Sequence, residues 1–327
     1  MTTLVPTLDG LQYGPAIANR FDYYAASTQR SGGNPWLLVF PHSGYRGGSR
    51  YSVRVDGALN NGLMSHFLNV AATSFDVFCA DGAQSQPSSD LNFGTTNPPY
   101  WFGAGRNAPE RSGYFPENIH EAAQCFQFIK SRPTSNRWTN ELDPDMGVLA
   151  GVSAGATYAL LIAMMPSRPY FTPGLAMEGI GRYSATASSI PAAVINRNAQ
   201  INHRPAEIIQ TFFVTLHGLD AWEDAADPSV GGTAGGPYFS DAQYAASSPI
   251  DYIKSTSPPT INFYDDTASG GKPYQNLHDK AQGVEFRDAL LALGVASEHW
   301  EQPAGTPALT LTNRQRAYTF IETQLGL

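Results

Sequence analysis

The stretch "MGVLAGVSAGATYALLIAMM", residues 146–165, constrains this chain more than any other. A short apolar run enters the pentapeptide Gly151-Val-Ser-Ala-Gly155, and a run of small and apolar residues with helical character leaves it. A strand that turns sharply into a helix at G-x-S-x-G strains the serine backbone and pushes its Oγ outward, while the flanking glycines let neighbouring chain approach without a Cβ. The helix N-terminus also directs backbone N–H groups at developing negative charge. Ser153 is therefore the candidate nucleophile, set against an ordinary Gly/Ser turn, which the five letters alone also describe.

The rest of the chain gives this turn a setting. "NPWLLVFPHSG" and "FDVFCADG" are short apolar runs that end in loop residues, as buried strands do. "NIHEAAQCFQFIKS" spaces Ile119, Ala122, Ala123, Phe126 and Ile129 as one face of a helix. Further strands are expected at "TFFVTLHG", "PPTINFYDD" and "ASEHWEQ", with a helix "VEFRDALLALG" between the last two. Strands alternating with helices predict an α/β fold built on a mostly parallel central sheet flanked by helices. Two stretches interrupt the rhythm, at about 84–116 and 167–208, and are read as loop or lid insertions. No linker divides the chain, so residues 1–327 are expected to form a single domain.

Composition narrows the function. With 20 Lys+Arg against 28 Asp+Glu and a net charge of −8, the chain lacks the basic surface that phosphate neutralisation needs, so no nucleic-acid partner is expected. No run reaches the roughly 18 apolar residues of a membrane span. The first residues, "MTTLVPTLDGLQYG", do not read as a secretory leader, so a cytoplasmic location is the expectation, a secreted mature form remaining open. Cys79 and Cys125 sit in an apolar run and a helical face and read as buried free thiols. Neither zinc spacing, nor HExxH, nor GxxxxGK[ST] occurs, and "GGTAGG" at 231–236 follows no strand, so no metal or cofactor is expected.

In their order along the chain, "YGPAIANRFDYYA", "LLVFPHSGYRGGS", "FDVFCADGA", "FPENIHEAAQCFQFIK", "LDPDMGVLAGVSAG", "SSPIDYIKSTSPPTINFYDD" and "FRDALLALG" resemble the α/β-hydrolase superfamily. The esterase branch that includes hormone-sensitive-lipase-like carboxylesterases, arylformamidases and feruloyl-esterase-like proteins is the most similar. The resemblance implies a serine carboxylic-ester hydrolase acting through an acyl-enzyme on a small or aryl/acyl ester, without a cofactor. It aligns the family's HGG oxyanion loop with His42, Ser43 and Gly44, followed by Tyr45. The amides of Gly44, Tyr45 and Ala154 would face the oxyanion, and His42 would orient the loop. Ser43 departs from the family's glycine.

A serine needs a base, and the base needs an orienting carboxylate. The family takes its acid after the strand beginning "PPT", which here ends in Asp265 and Asp266; Asp266 is preferred, and a turn cap is the alternative for both. The family's histidine follows the last strand. The corresponding stretch, "EQPAGTPALTLTNRQRAYTFIETQLGL", contains none, and Thr306 or Pro307 falls in its place.

Among the seven histidines, His278 in "NLHDK" is the first candidate, because it enters the helix beside the acid turn. His217, ending "TFFVTLHG", is expected either to line the pocket or to serve as a hydrogen-bonded structural residue. His299 falls too early in the last strand, His66 and His120 read as helix residues near the surface, and His203 lies in the second insertion. Tyr100, Trp101 and Phe102 either anchor the first insertion or wall an apolar pocket. Two readings from different classes stand: an esterase with a relocated histidine, and a non-catalytic binding or structural member of the fold.

Overall fold

A computed structural model describes residues 3–13, 20–41, 50–54, 60–69, 75–81, 117–134, 138–165, 188–202, 248–266, 278–304, 306 and 308–327. Their strands are β1 (Leu8–Gln12), β2 (Arg20–Tyr24), β3 (Asn34–Phe40), β4 (Asp76–Ala80), β5 (Leu142–Val152), β6 (Ala193–Arg197), β7 (Thr260–Asp266) and β8 (Ser297–Pro303). Their helices are α1 (Asn61–Asn69), α2 (Glu117–Lys130), α3 (Ala154–Met164), α4 (Lys280–Ala292) and α5 (Leu311–Leu325). The strands form one sheet in the order β1-β2-β4-β3-β5-β6-β7-β8. β1 and β2 pair antiparallel, β2 meets β4 antiparallel, and every pairing from β4 through β3 to β8 is parallel.

Both faces of this sheet are covered at its centre, which is why β3, β4 and the second half of β5 read as near-continuous apolar runs. Trp36, Leu38 and Phe40 of β3 point into one core with α2, α3, Phe286 and Leu290. Leu37 and Val39, displaced by one residue and therefore on the other face, pack with Phe67 of α1 and Tyr318 and Ile321 of α5. All eleven residues of α3 are buried. Each fully buried Leu or Ile there is worth about 1.5–3 kcal/mol relative to exposure. No described helix is long and apolar enough to cross a membrane.

The expected elements at β3, β4, α2, β5, α3, β7, α4 and β8 all form. Three strands were not anticipated: β1 and β2, which form the antiparallel end of the sheet, and β6. β6 occupies residues 193–197, inside the stretch read as the second insertion, and sits between β5 and β7. Its five residues include Asn196 and Arg197, so it carries little apolar signal, although all five are buried. "TFFVTLHG" and the first insertion lie outside the described residues. Cys79 and Cys125 are free and buried, and burial pushes both thiols well above their ordinary pKa.

Candidate active site

β5 delivers Ser153 to the carboxyl edge of the sheet, where open parallel sheets place their ligands. The serine lies at φ 54°, ψ −124°, one of two non-glycine residues with positive φ among those described. Such backbone costs on the order of 1–3 kcal/mol and persists only where the surroundings over-determine it. Here they do. The Ser153 amide donates to the Arg197 carbonyl at 2.9 Å, and the Ser153 carbonyl accepts from Thr157 N at 3.0 Å.

The glycines on either side are required by space. A Cβ on Gly151 would lie 2.3 Å from the Gly155 backbone, and one on Gly155 would lie 2.5 Å from the Phe40 carbonyl oxygen. The turn is thus packed against the end of β3, from which residues 42–49 depart. Ala154 follows as the first residue of α3, where backbone amides have no acceptor within the helix.

Ser153 Oγ lies 2.9 Å from His278 Nε2. This is hydrogen-bond distance, the separation that a serine nucleophile and its base require. With the ring proton on Nδ1, Nε2 accepts from the serine hydroxyl, which is the tautomer that general-base chemistry requires. His278 is half-buried and stands one residue before the N-cap of α4. Ser153 is 4% exposed.

The two carboxylates of β7 separate. Successive strand residues point to opposite faces. Asp265 turns inward, 19% exposed, and accepts from Arg197 Nη2 at 3.0 Å, Gln302 Nε2 at 2.7 Å and Asn198 Nδ2 at 3.0 Å. Asp266, preferred from the sequence, is 54% exposed and pairs with Lys280 Nζ at 2.8 Å, a cation shared with Glu301. Its carboxylate is committed to the surface of α4.

Thr306, in the position where the resemblance places a histidine, is tied down by its backbone. Arg197 Nη2 donates to the Thr306 carbonyl at 2.6 Å, and the Thr306 hydroxyl donates to the Pro303 carbonyl at 2.7 Å. Burial lowers the Arg197 pKa, and the Asp265 charge opposes that shift.

The remaining histidines have other surroundings. His299 packs against the Tyr264 ring at 5.6 Å, and burial depresses its pKa to about 4. His66 lies edge-on to Tyr318, with its pKa lowered chiefly by burial. His42, Ser43, Gly44, Tyr45, Tyr100, Trp101, Phe102, His203 and His217 lie outside the described residues.

Residues 42–49 are bounded by firm ends. At the far end Arg50 is 4% exposed, its amide donating to Asp81 Oδ1 at 2.8 Å and its Nε to Asp22 Oδ1 at 2.9 Å. Sequence reading did not single out Arg197, Asn198, Thr157, Gln200 or Gln282. Only Asn198, which tolerates its φ of 52° better than most residues, carried a local signal.

No family model matches the chain, and no curated protein matches it. Solved structures match in fold. A truncated carbohydrate esterase from gut microbiota aligns with a TM-score of 0.65 at 12% identity, over 100% of this chain and 98% of that one. A bifunctional GH43-CE protein of Bacteroides eggerthii aligns at 0.64 and 14% identity, over 96% of this chain and 37% of its own length. Thermogutta terrifontis esterase 2, phosphoramylated by tabun, aligns at 0.58 and 15% identity, over 99% and 96%. The mostly parallel eight-stranded α/β architecture is therefore one that known esterases share.

Proposed function

We propose that this protein is a serine carboxylic-ester hydrolase of the α/β-hydrolase fold, with its histidine base moved from the turn after β8 to the segment before α4. The observation that carries the reading is the 2.9 Å contact between Ser153 Oγ and His278 Nε2, made at a strained strand-to-helix turn. Ser153 Oγ attacks the ester carbonyl while His278 takes its proton, and the resulting imidazolium returns that proton to the departing alcohol. Water, deprotonated by the same ring, then attacks the acyl-serine and releases the acid and Ser153.

The Ala154 amide is one oxyanion donor in this scheme, and the amides of Gly44 and Tyr45 are the others. A donor of this kind contributes about 3–4 kcal/mol to the transition state in characterised enzymes. Asp265 replaces Asp266 as the orienting carboxylate, a choice supported by its inward position and by the commitment of Asp266 to Lys280. No metal or cofactor enters the scheme. The substrate class is a small or aryl/acyl ester. Acyl groups esterified to a sugar belong in the first substrate panel, because one fold neighbour is described as a carbohydrate esterase.

Turnover of p-nitrophenyl acetate and covalent labelling by a fluorophosphonate test the assignment. Both are expected in the wild-type protein and both are lost in Ser153→Ala. Unlabelled wild-type protein without turnover leaves the non-catalytic reading in force, and activity that survives in Ser153→Ala overturns the nucleophile.

A further inference from the structure

A base carried by the segment between β7 and α4 raises a mechanical question, since nothing in the elbow itself determines where that segment sits. His278 immediately precedes Asp279, the N-cap of α4, which is fully buried and accepts from Ala281 N at 2.9 Å. The ring position is therefore referred to the first turn of α4. What holds that turn is Gln282, also fully buried, whose Oε1 accepts the amide of Ile201 at 3.0 Å.

Ile201 belongs to the short run that leaves β6, the strand whose Arg197 carbonyl accepts the Ser153 amide. The same run is bonded to the helix behind the serine. Gln200 N donates to Thr157 Oγ1 at 3.0 Å, and Thr157 Oγ1 lies 3.1 Å from Gln200 Oε1. A second contact presses α4 toward the sheet: a Cβ on Gly283 would stand 2.4 Å from the Tyr264 ring, and the Tyr264 hydroxyl donates to the Ala199 carbonyl at 2.7 Å. Serine, α3, the β6 exit and α4 thus form a closed circuit of short contacts with the histidine at its end.

We propose that Gln282 is a positioning residue that sets the Ser153–His278 distance by fastening the first turn of α4 to the β6 exit. The proposal rests on the reading of Ser153 and His278 as nucleophile and base. Buried amides such as Ile201 N require an acceptor, and α4 supplies one to this amide through the Gln282 side chain. Catalytic geometry is sensitive at this scale, since a displacement of about 1 Å costs roughly 10²-fold in rate.

The test compares Gln282→Met, which keeps length and removes the acceptor, with Gln282→Glu, which keeps an acceptor oxygen. In Gln282→Met, kcat for p-nitrophenyl acetate is expected to fall about 10- to 100-fold with KM within about twofold, and fluorophosphonate labelling slows in parallel. The residual rate rises more steeply with pH than wild type, and Gln282→Glu recovers most of kcat. A Gln282→Met protein with wild-type kcat and merely a lower Tm overturns the proposal. Should that variant not fold, Thr157→Val cuts the same circuit at its other end: a lowered kcat at unchanged KM supports the proposal, and a wild-type kcat overturns it. Failure of the underlying pair is separable, because it appears in the wild-type protein as absent labelling or in His278→Ala as undiminished activity.

Discussion

Two strands, β7 and β8, end side by side at the carboxyl edge of the sheet, and the described residues that follow them are held in different ways. The turn after β8 is fixed through its backbone: Arg197, itself clamped by Asp265, donates to the Thr306 carbonyl. Between β7 and α4, His278 places its Nε2 2.9 Å from Ser153 Oγ. The residues after β8 are held by a charge network, whereas His278 contacts the serine. In the proposed scheme the catalytic position is defined by where a ring nitrogen arrives, and different segments of one fold are able to bring it there.

The difference between these two places is broken most forcefully at His278. His278→Ala is expected to lower kcat by about four orders of magnitude or more, as removal of a triad histidine does elsewhere. Adding Thr306→His to that variant restores nothing, since Arg197 holds the Thr306 backbone in place; rescue by the double variant, measured by steady-state hydrolysis, would return the base to the β8 turn.

A smaller effect sharpens the contrast between the carboxylates. Asp265→Asn is expected to reduce kcat between about 10²- and 10⁴-fold, the range for loss of an orienting carboxylate, and also to lower Tm because Arg197 loses its counter-charge. Asp266→Asn, which removes an exposed pairing with Lys280, changes kcat by less than about twofold. Equal effects from the two would remove the distinction drawn here.

The smallest effect concerns β8 alone. The folded protein holds His299 neutral down to about pH 4, against an ordinary value of 6.5. The unfolded chain therefore takes up the proton first, and the stability contributed by the neutral ring is present above pH 6.5 and is lost as pH falls toward 4. Thermal melts at pH 7 and pH 4.5 are expected to show a smaller acid-induced loss of Tm in His299→Gln than in wild type, with esterase activity at pH 7 little changed.

Much of this edge was legible beforehand, for identifiable reasons. Ser153 stood out because its turn demands glycines at fixed positions and because strand and helix patterns flank it. His278 was reachable by counting back from a well-marked helix. Between Asp265 and Asp266 the sequence offered only adjacency: strand alternation states that they face opposite ways, but which way is inward depends on register with β6 and β8. β6 itself was missed because a five-residue strand ending in Asn and Arg looks polar, although its neighbours bury it completely. Gln282 and Gln200 carry no pattern at all, since a glutamine becomes informative only when the amide it satisfies is known.

The glycines at 151 and 155 have a mechanical consequence. With no side chain between them, the elbow, the first turn of α3 and the end of β3 are in close backbone approach, so Ser153 and the end of β3 at Phe40 and Pro41 are expected to move as one solid piece. His278 belongs to a different piece, joined to the first through hydrogen bonds and ring packing. Any breathing motion that opens this edge is therefore expected to part His278 from Ser153 before it disturbs the serine's own turn, and amide exchange should begin at Ile201 and Ala281 well before it reaches Ser153 and Thr157, whose amides are bonded to the Arg197 and Ser153 carbonyls.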